Sequence, residues 1–147
     1  MGRGFEVIKD YKSVEIVLPR RKTASSAGYD ITTAEDIALL PGKVTLIPTG
    51  IKAYMEQDEY LGIHMRSGLA VKHGLSLING QGIIDADYYN NPDNEGHILI
   101  AVINHGDETV QMLKGTRIAQ GIFYKYLKTD DDSADGIRAG GLGSTGL

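Results

Sequence analysis

Apolar residues in this chain alternate with polar ones, and almost nowhere do they recur at the three- and four-residue spacing of a helix face. The alternation comes in short stretches: "VEIVL" at 14–18, "KVTLI" at 43–47, "YLGIHM" at 60–65, "HILIAVI" at 97–103, "TVQML" at 109–113 and "RIAQGIFYKY" at 117–126. Turn-forming residues separate them: Pro41-Gly42, Thr49-Gly50, Asn79-Gly80, His105-Gly106-Asp107 and Lys114-Gly115. Many short strands at close spacing predict an all-β barrel or sandwich. With 41% apolar residues among 147, the chain suits one compact domain with its own core. One stretch departs from the pattern. "SGLAVKHG" (67–74) predicts a short helix, with Ser67 as its cap and Gly74 as its stop.

Charge narrows the partners. The formal net charge is -4, so no broad basic face is available for nucleic acid, although a few local arginines can still hold phosphate. There is no cysteine, which removes disulfides, thiolate metal sites and thiol nucleophiles. The apolar runs are too short to span a bilayer, and no membrane partner is expected. The start, "MGRGFEVIKD", has no secretion-type apolar stretch, and Val7 stands where a myristoylation pattern needs Ser or Thr. A cytoplasmic protein is expected. His64, His73, His97 and His105 lack zinc-like spacing and read as structural or solvent-exposed.

Two segments carry unusual chemistry. "GIIDADYYN" (82–90) puts two carboxylates and two phenols into an apolar strand-like run. By itself this reads equally well as a strand leaving the core into a polar turn. On an ideal strand Asp85 and Asp87 share a face, and a direct metal site is one further use for such a pair. The last twenty residues, "KTDDDSADGIRAGGLGSTGL", are acidic and then glycine-rich, which by composition predicts a mobile tail.

Five segments in order, "AGYD" (27–30), "RSGLA" (66–70), "GIIDADY" (82–88), "RIAQ" (117–120) and "GGLGSTG" (140–146), resemble the five motifs of the trimeric dUTPases. The resemblance covers residues 27 to 146. It implies a jelly-roll-like β-barrel subunit with one short helix over 1–127. It also implies a C-terminal arm over 128–147 that closes the active site, and a homotrimer whose sites are shared between subunits. The implied reaction is Mg²⁺-dependent hydrolysis of dUTP to dUMP and pyrophosphate. Two alternatives share the pocket: a non-hydrolysing nucleotide sensor, and a dCTP deaminase-like enzyme of the same superfamily.

The resemblance also assigns roles. Asp85 matches the carboxylate that activates the attacking water. Arg66, Ser67 and the Gly68 amide match the phosphate clamp, at the start of the expected helix where N–H groups favour an anion. Asn79 matches a uracil reader within a glycine-rich hairpin, and Gly82 and Ile84 line the same pocket. Tyr88 matches the ring that packs under the deoxyribose and leaves no room for a 2′-hydroxyl. Asp85 and Tyr88 would face opposite sides of a straight strand, so the strand is expected to end near Asp85 and bend. Gln120 is expected to donate to a phosphate, Asp30 to act on Mg²⁺ indirectly through water, and Arg117 to pair with a carboxylate beneath the site.

The tail departs from the family pattern. Arg138 stands one residue nearer the glycines, and Leu142 replaces a phenylalanine that stacks on uracil. Gly143, Ser144 and Thr145 complete the expected phosphate grip. Thr116 replaces the usual aspartate before Arg117, and "YNNPDNEG" (89–96) is an insertion expected as a longer surface loop.

Overall fold

The computed structural model describes residues 2–143. It contains eleven strands: β1 (Gly4–Val7), β2 (Tyr29–Thr32), β3 (Ile37–Leu39), β4 (Val44–Pro48), β5 (Ile51–Tyr54), β6 (Glu59–Met65), β7 (Leu75–Leu77), β8 (Gly82–Asp85), β9 (Leu99–Asn104), β10 (Val110–Met112) and β11 (Arg117–Lys125). One α-helix, α1 (Ser67–His73), joins β6 to β7. The strands pair antiparallel into a four-stranded sheet β2-β11-β6-β8, a three-stranded sheet β4-β9-β7 and two ribbons, β1-β5 and β3-β10.

Side-chain alternation places one face of every sheet in a common core. Ile31, Leu39, Ile47, Ile51, Leu61, Ile100, Val102 and Ala119 are all at most 2% exposed and come from seven different strands. This is the all-β architecture expected from the alternation, in the jelly-roll-like form that the resemblance implies. Sheets wrapped around one core also explain why no long helix is needed. Among the described residues no helix is long and apolar enough to cross a membrane.

Three local expectations are corrected. "VEIVL" makes no strand: it pairs with no other segment, and Val17 and Leu18 are exposed while Ile16 packs inward. Ser67 does not cap α1. Arg66 occupies the N-cap position in extended conformation without a side-chain bond, and Ser67 is the first helical residue. Gly74 does end the helix, in the left-handed conformation at φ 67°. Finally, "NGQG" is not a hairpin, because β7 pairs with β9 while β8 pairs with β6. It is a turn that carries the chain from one sheet to the other, with Gly80 at φ 77°.

Candidate active site

The outer face of the four-stranded sheet organises the candidate residues. Gln120 on β11 lies opposite Asp30 on β2 and His64 on β6. A β-bulge between Arg117 and Ala119 shifts the register, so that Arg117 pairs with Thr32 rather than falling on the opposite side of the sheet from Gln120. Paired residues share a face. The bulge therefore puts Arg117, Gln120 and Asp30 outward, with Ile118 and Ala119 buried beneath them. Arg117 Nη1 lies 3.2 Å from Asp30 Oδ2, the carboxylate pairing expected of it. A Cβ on Gly28 would lie 3.0 Å from Gln120 Cβ and collide with the carboxamide beyond, so glycine there makes room for that side chain.

Arg66 follows directly on β6. Its Nη1 donates to the Arg117 carbonyl at 3.4 Å, and its backbone N–H reaches the Ile118 carbonyl. The first intrahelical bond of α1 runs from Ala70 N–H to the Arg66 carbonyl, so the amides of Ser67 and Gly68 lie ahead of the helix ladder. Asp30, Arg66, Ser67, Gly68, Arg117 and Gln120 thus gather at the Met65 end of β6.

Asp85 lies at the other end. It pairs with Tyr60, the second residue of β6. From Tyr60 to Arg66 is six residues, roughly 20 Å at about 3.3 Å per strand residue. The strand does end at Asp85, and a 3₁₀ turn over Ala86–Tyr88 follows. This is the bend needed to bring Asp85 and Tyr88 to one cleft. A cleft of about 440 Å³ is lined by Ile84, Asp85, Tyr88 and, from the tail, Arg138, Leu142 and Gly143, among others. Its size suits a nucleoside.

Within this cleft the Tyr88 hydroxyl donates to the His97 carbonyl at 2.5 Å and accepts from Asn94 Nδ2 at 2.8 Å. Burial pushes the phenol up from its usual range, which keeps it protonated and able to donate. Arg138 bridges the two carboxylates, with Nη2 2.6 Å from Asp85 Oδ2 and Nε 2.7 Å from Asp87 Oδ1. Asp87 above all, by hydrogen bond, holds this guanidinium above its already high value. Asn79 is exposed on the turn before β8, and Gly82 and Ile84 face Ile63 and Leu61. Ser144 and Thr145 lie outside the described residues. Among the described residues, no three carboxylate or imidazole groups converge as a metal cage.

The structure therefore brings the candidates together in two groups and keeps those groups apart. It also adds residues that spacing did not reveal. Asn94 and Asn91 of the 89–96 insertion contact Tyr88, and Asp87 shares Arg138 with Asp85. The clustering of Asn, Asp and Gly in the insertion was the available signal, since such residues favour side-chain-to-backbone turns.

A sequence model of the dUTPase family matches residues 14–146. The chain belongs to the dUTPase family. It is 51% identical to the deoxyuridine 5'-triphosphate nucleotidohydrolase of Lactococcus lactis over 98% of this chain and 97% of that protein. Identity to the enzyme of the same name from Brucella melitensis is 40%, covering 88% and 84%. A dUTPase from Streptococcus mutans superposes with a TM-score of 0.82 at 48% identity, over 86% of this chain and 98% of that one. A dUTPase mutant from phage phi11 of S. aureus shares the fold at 19% identity, with a TM-score of 0.73 over 92% and 98%; that protein coordinates a structural Mg(II) ion. As a dUTPase, the chain is a hydrolase of nucleotide metabolism.

Proposed function

We propose that this dUTPase hydrolyses dUTP to dUMP and pyrophosphate at sites assembled between subunits of a homotrimer. Such a reaction limits uracil incorporation into DNA and supplies dUMP for thymidylate synthesis. Family membership supports the reaction. The roughly 20 Å between Arg66 and Asp85 on one subunit supports the sharing of sites. A general base must lie within about 3 Å of the water it activates, close to the phosphates that Arg66 would hold. One chain cannot bring both ends of β6 to one triphosphate; the Met65 end of one subunit facing the Asp85 end of another can.

In this reading Asp85 accepts a proton from a water whose oxygen attacks the α-phosphorus. The new P–O bond forms as the bond to the bridging oxygen breaks, and pyrophosphate leaves. Arg66 holds phosphate oxygens with a forked cation, helped by Ser67, the Gly68 amide and Gln120. The cleft takes the deoxyuridine, with Tyr88 against the sugar and Asn79, Gly82 and Ile84 around the base. Residues 128–147 supply the closing arm in this reading, with Leu142 over the base and Gly143 toward the terminal phosphates; Ser144 and Thr145, assigned the same grip by the resemblance, lie outside the described residues. Arg138 has to leave Asp85 before that carboxylate can serve as base, because its Nη2 sits 2.6 Å from Oδ2, where the water would have to bind. Arm movement and base release are thereby one event.

Mg²⁺ fits this donor set as a triphosphate-bound ion. Asp30 already shares one oxygen with Arg117, which suits a water-mediated hold rather than a direct cage. When bound, the ion would neutralise developing charge on the phosphates.

Two inactive variants, Arg66→Ala and Asp85→Asn, test the assembly when co-refolded in equal amounts. If the clamp and the base of each site come from different subunits, about a quarter of wild-type activity per site should return, since each is intact with probability one half. Mixed trimers, confirmed by mass, that stay silent would refute the shared site. Pyrophosphate release with dUTP, dTTP, dCTP and UTP, with and without Mg²⁺, tests the reaction itself; no release with dUTP sinks it.

A further inference from the structure

The insertion 89–96 is folded tightly onto Tyr88. Asn91 is 5% exposed, and its Nδ2 donates to the Tyr88 carbonyl and to Asn94 Oδ1, both at 2.8 Å. Its Oδ1 accepts the amides of Asp93 and Asn94. Asn94 Oδ1 also accepts the Gly96 amide at 3.1 Å, and Asn94 Nδ2 donates to the Tyr88 hydroxyl. A directional chain results. Asn91 donates to Asn94, Asn94 to Tyr88, and Tyr88 to the His97 carbonyl. Each member is oriented by the one before it.

The outer side of the loop is fastened as well. Lys52 is 8% exposed, and its Nζ donates to Asn90 Oδ1 at 2.6 Å and to Glu95 Oε2 at 2.7 Å. Glu95 also accepts the Lys9 amide, and these two partners, Lys52 first, hold its carboxyl below the usual range. A buried cation with two oxygen partners ties the loop to β5, so the loop is a brace rather than a loose excursion. The tail passes close to the same ring: a Cβ on Gly141 would lie 3.2 Å from Tyr88 Cε1 and 3.7 Å from Asn94 Nδ2.

We propose that Asn94 is a positioning residue for sugar selection. It pins the Tyr88 ring through its hydroxyl, so that the ring edge stays where a 2′-hydroxyl would have to go. The inference rests on the proposed reading of Tyr88 as the surface beneath the deoxyribose. A ring held at both Cβ and hydroxyl cannot tilt away from an added oxygen. Without Asn94 the hydroxyl keeps only its bond to the His97 carbonyl and can swing about it, and steric exclusion of one hydroxyl is sensitive to such small displacements.

The test compares kcat/KM for dUTP and UTP in the full chain, Asn94→Ala, Tyr88→Phe and the double variant. Asn94→Ala should lower the dUTP-to-UTP ratio by about tenfold. Tyr88→Phe removes the hydroxyl and with it both bonds, to the His97 carbonyl and from Asn94, while leaving the bond between Asn91 and Asn94 in place, and should lower the ratio at least as far. The double variant should be no less selective than Tyr88→Phe alone, because Asn94 acts through that hydroxyl. An unmoved ratio in Asn94→Ala, or losses that multiply in the double variant, would overturn the proposal. Should Asn94→Ala fail to fold, Tyr88→Phe decides: a wild-type ratio there overturns it too. A wild type without preference for dUTP takes the functional reading down with it; a selective wild type beside an equally selective Asn94→Ala overturns this inference alone.

Discussion

At the Met65 end of β6, side chains are placed by sheet register. At the Tyr60 end they are placed by a turn, a loop and an ion pair. Asp30, Arg117 and Gln120 stand on paired strands over buried Ile31, Ile118 and Ala119, and a single bulge sets their common face. Asp85 and Tyr88 stand where β8 has ended, and their partners are Arg138 from the tail and Asn94 from the insertion. Regular pairing over a core resists displacement, whereas polar bonds near solvent open with little free energy. The difference suits the proposed chemistry. A phosphate grip can be rigid, but the sugar and base side must admit substrate and then close over it.

The largest effect should come from the loop-built end. Asp85→Asn should leave nucleotide binding intact while turnover falls on the order of 10² to 10⁴, the usual loss of a general base. Single-turnover pyrophosphate release beside an equilibrium titration separates the two. If Asp87→Asn proves the more damaging change, the base has been placed on the wrong one of Arg138's two partners.

Arg66→Lys probes the register-built end. A lysine keeps the charge but loses the fork, and loss of a charged hydrogen bond of about 1.5–3 kcal/mol should cost roughly ten- to a hundredfold in kcat/KM. Because the strands place this residue, amide exchange in β6 and β11 should not change. Faster exchange there would mean that Arg66 holds the sheet together instead.

Leu142→Phe acts on the loop-built end alone. Leu142 is 84% exposed, and an aromatic in its place should add about 0.5–1.5 kcal/mol of stacking on the base. A non-hydrolysable dUTP analogue should then bind more tightly, as read by calorimetry. Unchanged or weaker binding would give the tail a different path over the nucleotide.

The smallest effect, and the most local, concerns acid. The His97 ring accepts the Gly50 amide at Nε2, 2.9 Å away, and its carbonyl accepts the Tyr88 hydroxyl. Burial lowers the pKa of His97 below its usual value, against the opposing pull of Asp10, Glu35 and Glu95. A depressed histidine pKa means the open state takes up the proton first. Stability from this group is therefore intact above about pH 6.5, the ordinary histidine value, and falls as pH drops from there toward the folded-state value. Protection factors at pH 7.5 and 5.5 should show the Gly50 and Tyr88 region loosening before β11 does. Uniform loosening would erase the distinction between the two ends at this level.

Much of the site could be read before any fold was known, because its chemistry lies in short contiguous motifs. Asp85, Arg66 and Gln120 were singled out as candidates by motif, and the bend after Asp85 followed from the three-residue step to Tyr88. Alternating apolar residues were enough to specify an all-β fold, barrel or sandwich, since period two suits only a strand with one buried face. The three-residue strands β3 and β7 carry too few alternations to be seen, although the equally short β10 lies within "TVQML". "VEIVL" alternated without forming a strand, because pairing needs a partner edge that local sequence does not describe.

Tertiary structure alone decided the rest. Arg117 and Gln120 share a face only because a bulge adds one residue to the register, and nothing in "RIAQ" announces it. The insertion read as a surface loop, yet Lys52, forty residues away in the chain, holds it against Tyr88. The separation of Arg66 from Asp85 likewise follows from antiparallel pairing of β6 with β8, a contact between distant segments. Motifs and periodicity are properties of neighbours along the chain; register, anchoring and the distance between two halves of a site are set by which segments meet across space.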